Sequence, residues 1–144
     1  MATVQELFAR SEKAFNDHDR AAMEALCADD AVLNAPGDMT ATGRKDVCDF
    51  LESWWQAFPD AHTTLRDVHY SGDTFIEVGT FHGTQDGVFN TPMGDIASTH
   101  RPVSCEYVNI CRCNAETVAS QYLVFDRLQL LEQLGLIPAP AATA

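Results

Sequence analysis

The sequence predicts an α+β fold: a cone-shaped barrel in which a curved antiparallel sheet wraps over N-terminal helices, followed by a short C-terminal helix. Three observations predict it. Helical periodicity with N-terminal caps occupies much of the first 58 residues. Period-two alternation then dominates residues 62–125, in segments that read as two hairpins. One further amphipathic segment, FDRLQLLEQLG at 125–135, closes the pattern. Helices, then strands, then a capping helix is the order of an α+β layer arrangement, and a curved sheet laid over helices leaves a cavity between them.

Each element has a local reason. Thr3 and Glu6 have capping-box spacing, and Val4, Leu7, Phe8, Ser11, Ala14 and Phe15 make a largely apolar stripe. NDHDR at 16–20 breaks that helix, and Asp19 is placed to cap a short second one carrying Met23, Leu26 and Cys27. DDAVLN at 29–34 reads as a short strand closed by the turn residues APGD. Thr42 is the expected cap of a third helix, with Val47, Phe50, Leu51, Trp54, Trp55 and Phe58 on its apolar side and Pro59 as its stop. Strands at 62–70 and 74–82 are joined by SGD, and strands at 103–113 and 117–125 turn about Asn114 and Ala115. Between the hairpins, GTQDGVFNTPMGD at 83–95 reads as a long loop, a lid or pocket rim. Asp126, three residues before Gln129, is the capping-box residue of the last helix, and Gly135 stands where its C-terminus wants a left-handed residue.

At 144 residues the chain reads as a single domain over 1–137 with a Pro/Ala-rich, disordered tail at 138–144. Its formal charge of −12, with nine Lys and Arg, argues against nucleic acid and anionic membrane surfaces as partners. No run approaches the ~18 apolar residues of a membrane span, and MATVQELFARSEK lacks a signal-peptide core. A cytoplasmic protein is expected. Five cysteines then read as reduced thiols, with Cys105, Cys111 and Cys113 on one strand face as small core residues rather than metal ligands. No metal and no cofactor are expected.

Candidate chemistry sits mainly on the strands. SWWQAFPD at 53–60 puts two indoles on the helix that lines the cone; about 100° apart, one faces the pocket and the other the core or a partner. Asp60 after Pro59 reads as a turn acceptor. His62 and His69 have opposite parity on one strand, and so do Glu77 and His82 on the next. Tyr107, Asn109 and Cys111 share one face, as do Gln121, Leu123 and Phe125, and the turn places Asn109 beside Leu123 or Gln121. Glu106, Val108, Ile110 and Arg112 form the opposite, outer face. No G-x-S-x-G, phosphate loop or H-E-x-x-H occurs.

Over about residues 4–137 the chain resembles the SnoaL-like polyketide cyclases of the nuclear-transport-factor-2-like superfamily. The resemblance rests on AFN at 14–16, VLN at 32–34, TGRKDV at 42–47, AFPD at 57–60, GTFHG at 79–83, IASTHRPVS at 96–104 and FDRLQLLEQLG. It implies a cone with a cofactor-free pocket, usually in a homo-oligomer, and ring closure by intramolecular aldol condensation through an aspartate assisted by a histidine. In this chain the aspartate position holds Leu123 and the histidine position Asn109. Asp126 matches the non-catalytic acid that opens the last helix. Asn34 and Trp54 match pocket-lining positions, Phe81 stands where many members carry His, and the 83–95 loop is longer than in the cyclases.

The expected activity is cyclase- or isomerase-type acid/base chemistry on a polyketide-like or polycyclic ketone. Asn109, His82 and Glu77 are the candidate catalytic residues. Asn34, Trp54, Phe58, Phe81, Tyr107, Gln121 and Leu123 are the candidate substrate-binding residues. His62 is a further candidate base. The alternative is a non-catalytic protein of the same fold that binds a small hydrophobic or aromatic ligand. A third reading, an epoxide-hydrolase-like Asp–Arg–Asp site, would need Arg66 or Arg112 in the pocket, and parity opposes Arg112. A homodimer or higher homo-oligomer is expected, with Tyr122 and Val124 suited to a sheet-face contact.

Overall fold

A computed structural model describes residues 1–92 and 94–138, so residues 139–144 of the expected tail lie outside the described residues. Helix α1 (Val4–Asn16) starts at a complete capping box: Glu6 N donates to Thr3 Oγ1 at 3.1 Å, and Thr3 N donates to Glu6 Oε2 at 2.9 Å. Its stripe buries Leu7, Phe8 and Ala14. Helix α2 (Arg20–Leu26) starts at Asp19, whose Oδ1 accepts from Ala22 N at 3.0 Å. The chain then enters β1 (Cys27–Ala35), turns, and returns as β2 (Met39–Thr42), a strand hidden in the sequence behind the turn residues APGD.

Helix α3 (Arg44–Ala57) corrects one expectation. Its N-cap is Gly43, not Thr42, with no side-chain capping bond. Thr42 is drawn into β2 opposite Val32, and Gly43 takes the turn with φ of 90° while its N–H reaches Ala31 O at 2.7 Å. That backbone region is open to glycine and strained for a β-branched residue. Arg20 ties α2 to α3 through Asp49 at 2.8 Å and Glu52 at 2.6 Å.

The remaining strands are β3 (His62–Ser71), β4 (Thr74–Thr84), β5 (Phe89–Thr91), β6 (Gly94–Ile96), β7 (Pro102–Cys113) and β8 (Val118–Phe125), followed by α4 (Arg127–Gln133). Four of these, with β1 and β2, form one curved, unclosed sheet in the order β2-β1-β8-β7-β4-β3. Its pairs are antiparallel except β1 with β8, which run parallel and so depart from a purely antiparallel sheet. The expected long loop is a second correction: β4 continues to Thr84, and β5 with β6 make a small two-stranded sheet that reaches Ile96.

Gln85, fully buried, holds that region together. Its Nε2 donates to the carbonyls of Gly87, Ile96 and Ala97, and its Oε1 accepts from Thr99 N and Thr99 Oγ1. One amide side chain thereby replaces several missing ladder bonds of an irregular segment.

Asp126 caps α4 as expected, accepting from Gln129 N at 2.9 Å, but the reciprocal arm of the box is diverted. Gln129 Oε1 accepts from Glu106 N at 3.3 Å, and Gln133 exchanges two bonds with the Ser104 backbone. β8 pairs with β7 only from Tyr107 onward, so these glutamines satisfy the exposed edge of β7 before it. Gly135, φ 76°, ends the helix.

The inner face of the sheet packs on α1 and α3 around Phe58, Phe75, Leu7, Leu33 and Val47. Cys105, Cys111 and Cys113 are buried on that face and, like the chain's other two cysteines, are free thiols. Two glycines of GTFHG make room for it. A Cβ on Gly79 would lie 2.7 Å from Thr64 O and 2.9 Å from the Tyr107 hydroxyl, and one on Gly83 would lie 2.8 Å from Phe58 Cβ. Glycine at 79 therefore lets the Tyr107 phenol cross β4 toward β3.

Candidate active site

Alternation on β7 turns Val103, Cys105, Tyr107, Asn109, Cys111 and Cys113 inward, and register fixes what they meet. Asn109 is opposite Leu123 on β8 and opposite Glu77 on β4. Leu123, Asn109 and Glu77 are thus one row across three strands. Asn109 Nδ2 donates to Gln121 Oε1 at 3.1 Å and to Glu77 Oε1 at 3.4 Å. The Tyr107 hydroxyl interacts with Glu77 and with Thr63.

These groups line a cavity of about 90 Å³. Its apolar walls are Phe15, Met23, Leu51, Trp54, Phe81, Leu123 and Phe125; Ser11, Glu12, Thr63 and Cys105 line it as well. Burial in these surroundings pushes the Glu77 carboxyl up to about 7. The Asn109 and Tyr107 hydrogen bonds oppose that rise, and the Glu12 charge adds to it. Tyr107 is raised mainly by burial, then by the Glu77 charge, so it remains a protonated donor at neutral pH. Burial also lifts the Cys105 thiol, to about 11, which leaves it unreactive although it lines the cavity. Asn109 Oδ1 is buried and accepts no hydrogen bond.

The structure brings together Glu77, Tyr107, Asn109, Gln121, Leu123, Trp54 and Phe81 around this cavity. It does not bring His82, Asn34 or Phe58 to it. His82 is on the outer face, stacked on His62 at 4.9 Å, with its Nε2 2.9 Å from Thr64 Oγ1. Asn34 pairs with Tyr122 at outer parity and accepts from Thr40 Oγ1 at 3.0 Å. Phe58 is fully buried behind Trp54, against Trp54, Phe81 and Phe89. The indoles divide as expected: Trp54 lines the cavity, and Trp55 packs between Phe15 and His18.

His62 and His69 correct the parity reading. A bulge between Leu65 and Asp67 leaves Arg66 unpaired and resets the alternation. Both histidines then oppose outer-face residues of β4, His82 and Ile76. Asp60 is the expected acceptor, taking Thr84 N at 2.7 Å. Neither Arg66 nor Arg112 lines the cavity.

The α1 and α3 wall was less legible than the strands. Ser11, Phe15 and Leu51 lie on apolar stripes evident in the sequence, whereas Glu12 does not. The signal for Glu77 was present: it shares parity with Phe75 and Phe81, both buried. Among the described residues no group of His, Cys, Asp and Glu is arranged to hold a metal ion.

An unclosed α+β cone with a polar row on the wall of an apolar cavity has the nuclear-transport-factor-2-like, or ketosteroid-isomerase-like, fold. The SnoaL-like polyketide cyclase family model matches residues 5–134, and the chain belongs to that family. A SnoaL-like protein from Jannaschia sp. CCS1 superposes with a TM-score of 0.82 at 16% identity, over 94% of this chain and 93% of that one. IdmH from Streptomyces antibioticus gives 0.77 at 24% identity, over 93% and 99%. AclR from Streptomyces galilaeus gives 0.79 at 22%, over 96% and 88%. At these identities the likeness concerns the fold. A search of curated proteins finds no match.

Proposed function

We propose that the protein is an acid/base enzyme acting beside a carbonyl of a polyketide-like or polycyclic ketone, by isomerisation or cyclisation. Glu77 takes and returns the proton. Tyr107 holds the oxygen on which charge develops, and Asn109 positions the Glu77 carboxyl through its amide. The observation that carries this reading is a carboxyl on the cavity wall whose pKa is raised to about 7, hydrogen-bonded to Asn109 and close to a phenol. A base poised near neutrality combines a useful ionised fraction with proton affinity, and such a group typically contributes about 10²–10⁴-fold in rate.

The resemblance assigns the family acid to the position of Leu123. Glu77 lies in the same cross-strand row on the other side of Asn109. Two strand spacings, roughly 10 Å, separate the two positions. On this reading the acid is transposed across the row, and Leu123 supplies apolar wall that helps keep Glu77 desolvated. His82, on the outer face, has no part in it.

The test is deuterium uptake at the carbon next to the carbonyl of 2-tetralone in D₂O, followed by NMR. Wild type is expected to exceed the buffer rate, and Glu77→Gln to lose at least about 100-fold of that excess. Undiminished exchange by a folded Glu77→Gln removes Glu77 from the mechanism. A second reading, a non-catalytic carrier, is favoured by the apolar walls and by Leu123 at the acid position. It predicts binding with no exchange in wild type.

The oligomer and location are proposals too. On the outer sheet face Ile76, Val78, Val108, Ile110, Tyr122 and Val124 pair across β4, β7 and β8 as one apolar patch, with Tyr122 56% and Val124 46% exposed. Arg112 and Glu106 flank it along β7, so a second copy packed antiparallel sets each against its opposite charge. The five free cysteines suit a reducing cytoplasm. Among the described residues no helix is long and apolar enough to cross a membrane.

A further inference from the structure

The cavity at Glu77 is small for the ligand that the family suggests. It measures about 90 Å³, whereas an apolar cavity of about 150 Å³ is what takes up a single benzene ring. A polycyclic molecule whose carbonyl reaches Glu77 must therefore extend elsewhere. A second cavity, of about 150 Å³, lies against the first, between α3, the β1–β2 turn, the β5–β6 hairpin and α4.

The two cavities share two lining residues, Trp54 and Phe125. Their rings meet edge to face at 5.3 Å and form the wall between them. The two leaves of that wall are held very differently. Trp54 is packed by Phe50, Phe58, Phe81 and Phe89 as well, at 4.8–6.3 Å, and is 8% exposed. Phe125 ends β8, is only half-buried, and has Trp54 as its ring neighbour. Of the two leaves, Phe125 is the one held by fewer ring contacts.

We propose that the second cavity is a subsite for the apolar tail of the substrate, entered past the Phe125 ring, while the reactive ketone occupies the cavity at Glu77. Its lining is mostly aliphatic and aromatic, with Met39, Phe50, Ile96, Leu130 and Leu131 among it, and Asn90, Thr91 and Arg127 as its polar residues. The ligand class is an elongated ketone, with the carbonyl and its neighbouring carbons at the reactive end and hydrocarbon or aryl beyond. This inference rests on the reading of Glu77 as the proton-transfer group at the first cavity.

Two ketones with one head separate the two ideas: 2-butanone and 2-decanone, which differ by six methylenes. Binding is read from protein ¹H–¹⁵N NMR titrations and exchange from ligand NMR, in wild type, Leu131→Trp and Ile96→Trp. Wild type is expected to bind 2-decanone about 100-fold more tightly than 2-butanone, since each buried methylene favours binding. Filling the second cavity in either variant is expected to cut that ratio to about 10-fold or less. Equal binding of the two ketones by wild type overturns the subsite, as does an unchanged ratio in both folded variants. Tail-dependent binding without exchange keeps the subsite and overturns the catalytic reading of Glu77. Exchange without tail dependence does the reverse, and no binding of either ketone overturns both.

Discussion

A carboxyl facing an apolar wall keeps its proton to higher pH than one in water, and Glu77 carries that cost in stability. Between the usual glutamate value of 4.5 and about 7 the folded chain holds the Glu77 proton that the unfolded chain has lost. Stability contributed at this site is therefore greatest below 4.5 and declines as pH rises to about 7, by up to about 3 kcal/mol. Glu77→Gln is expected to lack this decline, so denaturant titrations at pH 5 and pH 8 should show the variant gaining on wild type as pH rises. Parallel curves for the two proteins would remove the elevated carboxyl. Asn109→Leu deletes a hydrogen bond that lowers the Glu77 value, so the pH at which exchange reaches half its plateau should move upward, with a lower plateau. An unmoved profile would separate Asn109 from Glu77. At this scale the sequence showed residue types and parity but not depth. It grouped Tyr107, Asn109, Gln121 and Leu123 correctly by face, yet left Glu77 and His82 as equals, because parity separates two faces without naming the inner one.

At the scale of elements, local signals were most reliable where the partner is near in sequence. Thr3, Asp19 and Asp126 all cap as their spacing predicts. Asp126→Ala is expected to lower stability by about 1 kcal/mol, and Asp126→Asn to change little, because Asn also caps well. Loss of exchange in a fully stable Asn variant would contradict a purely capping role. Long-range demands were illegible. The diversion of Gln129 to Glu106, the bulge at Arg66 and the drawing of Thr42 into β2 are all decided by strand edges distant in sequence. Gln85 is the clearest case, because a lone glutamine in a Gly-rich segment gives no sign of organising 84–101. Gln85→Ala strips partners from five buried or half-buried groups and is expected to cost about 2–4 kcal/mol. Thermal unfolding should then fall by roughly 10 °C; an unchanged midpoint would mean that the segment closes without it.

For the whole molecule, the chain order of helices and hairpins was enough to give the cone, since few arrangements of these layers cover the inner face of a curved sheet. The parallel β1–β8 pair was not readable, because it joins strands from opposite ends of the fold. Two surfaces emerge from that assembly. The inner one surrounds Glu77. The outer one is the apolar patch around Ile110 and Tyr122, and Tyr122→Lys with Ile110→Lys should convert a dimer into a monomer in light scattering behind size exclusion. A wild type that is monomeric at high concentration would contradict the sheet-face interface.

The central claim is that the fold has kept the cyclase cavity while moving its ionisable group from the β8 position to Glu77. The most direct measurement is a ¹³C NMR pH titration of the glutamate side-chain carboxyls, with the Glu77 signal assigned by its absence in Glu77→Gln. The account predicts that one resonance, Glu77, titrates near 7. A Glu77 carboxyl that ionises near the ordinary glutamate value of 4.5 would contradict it.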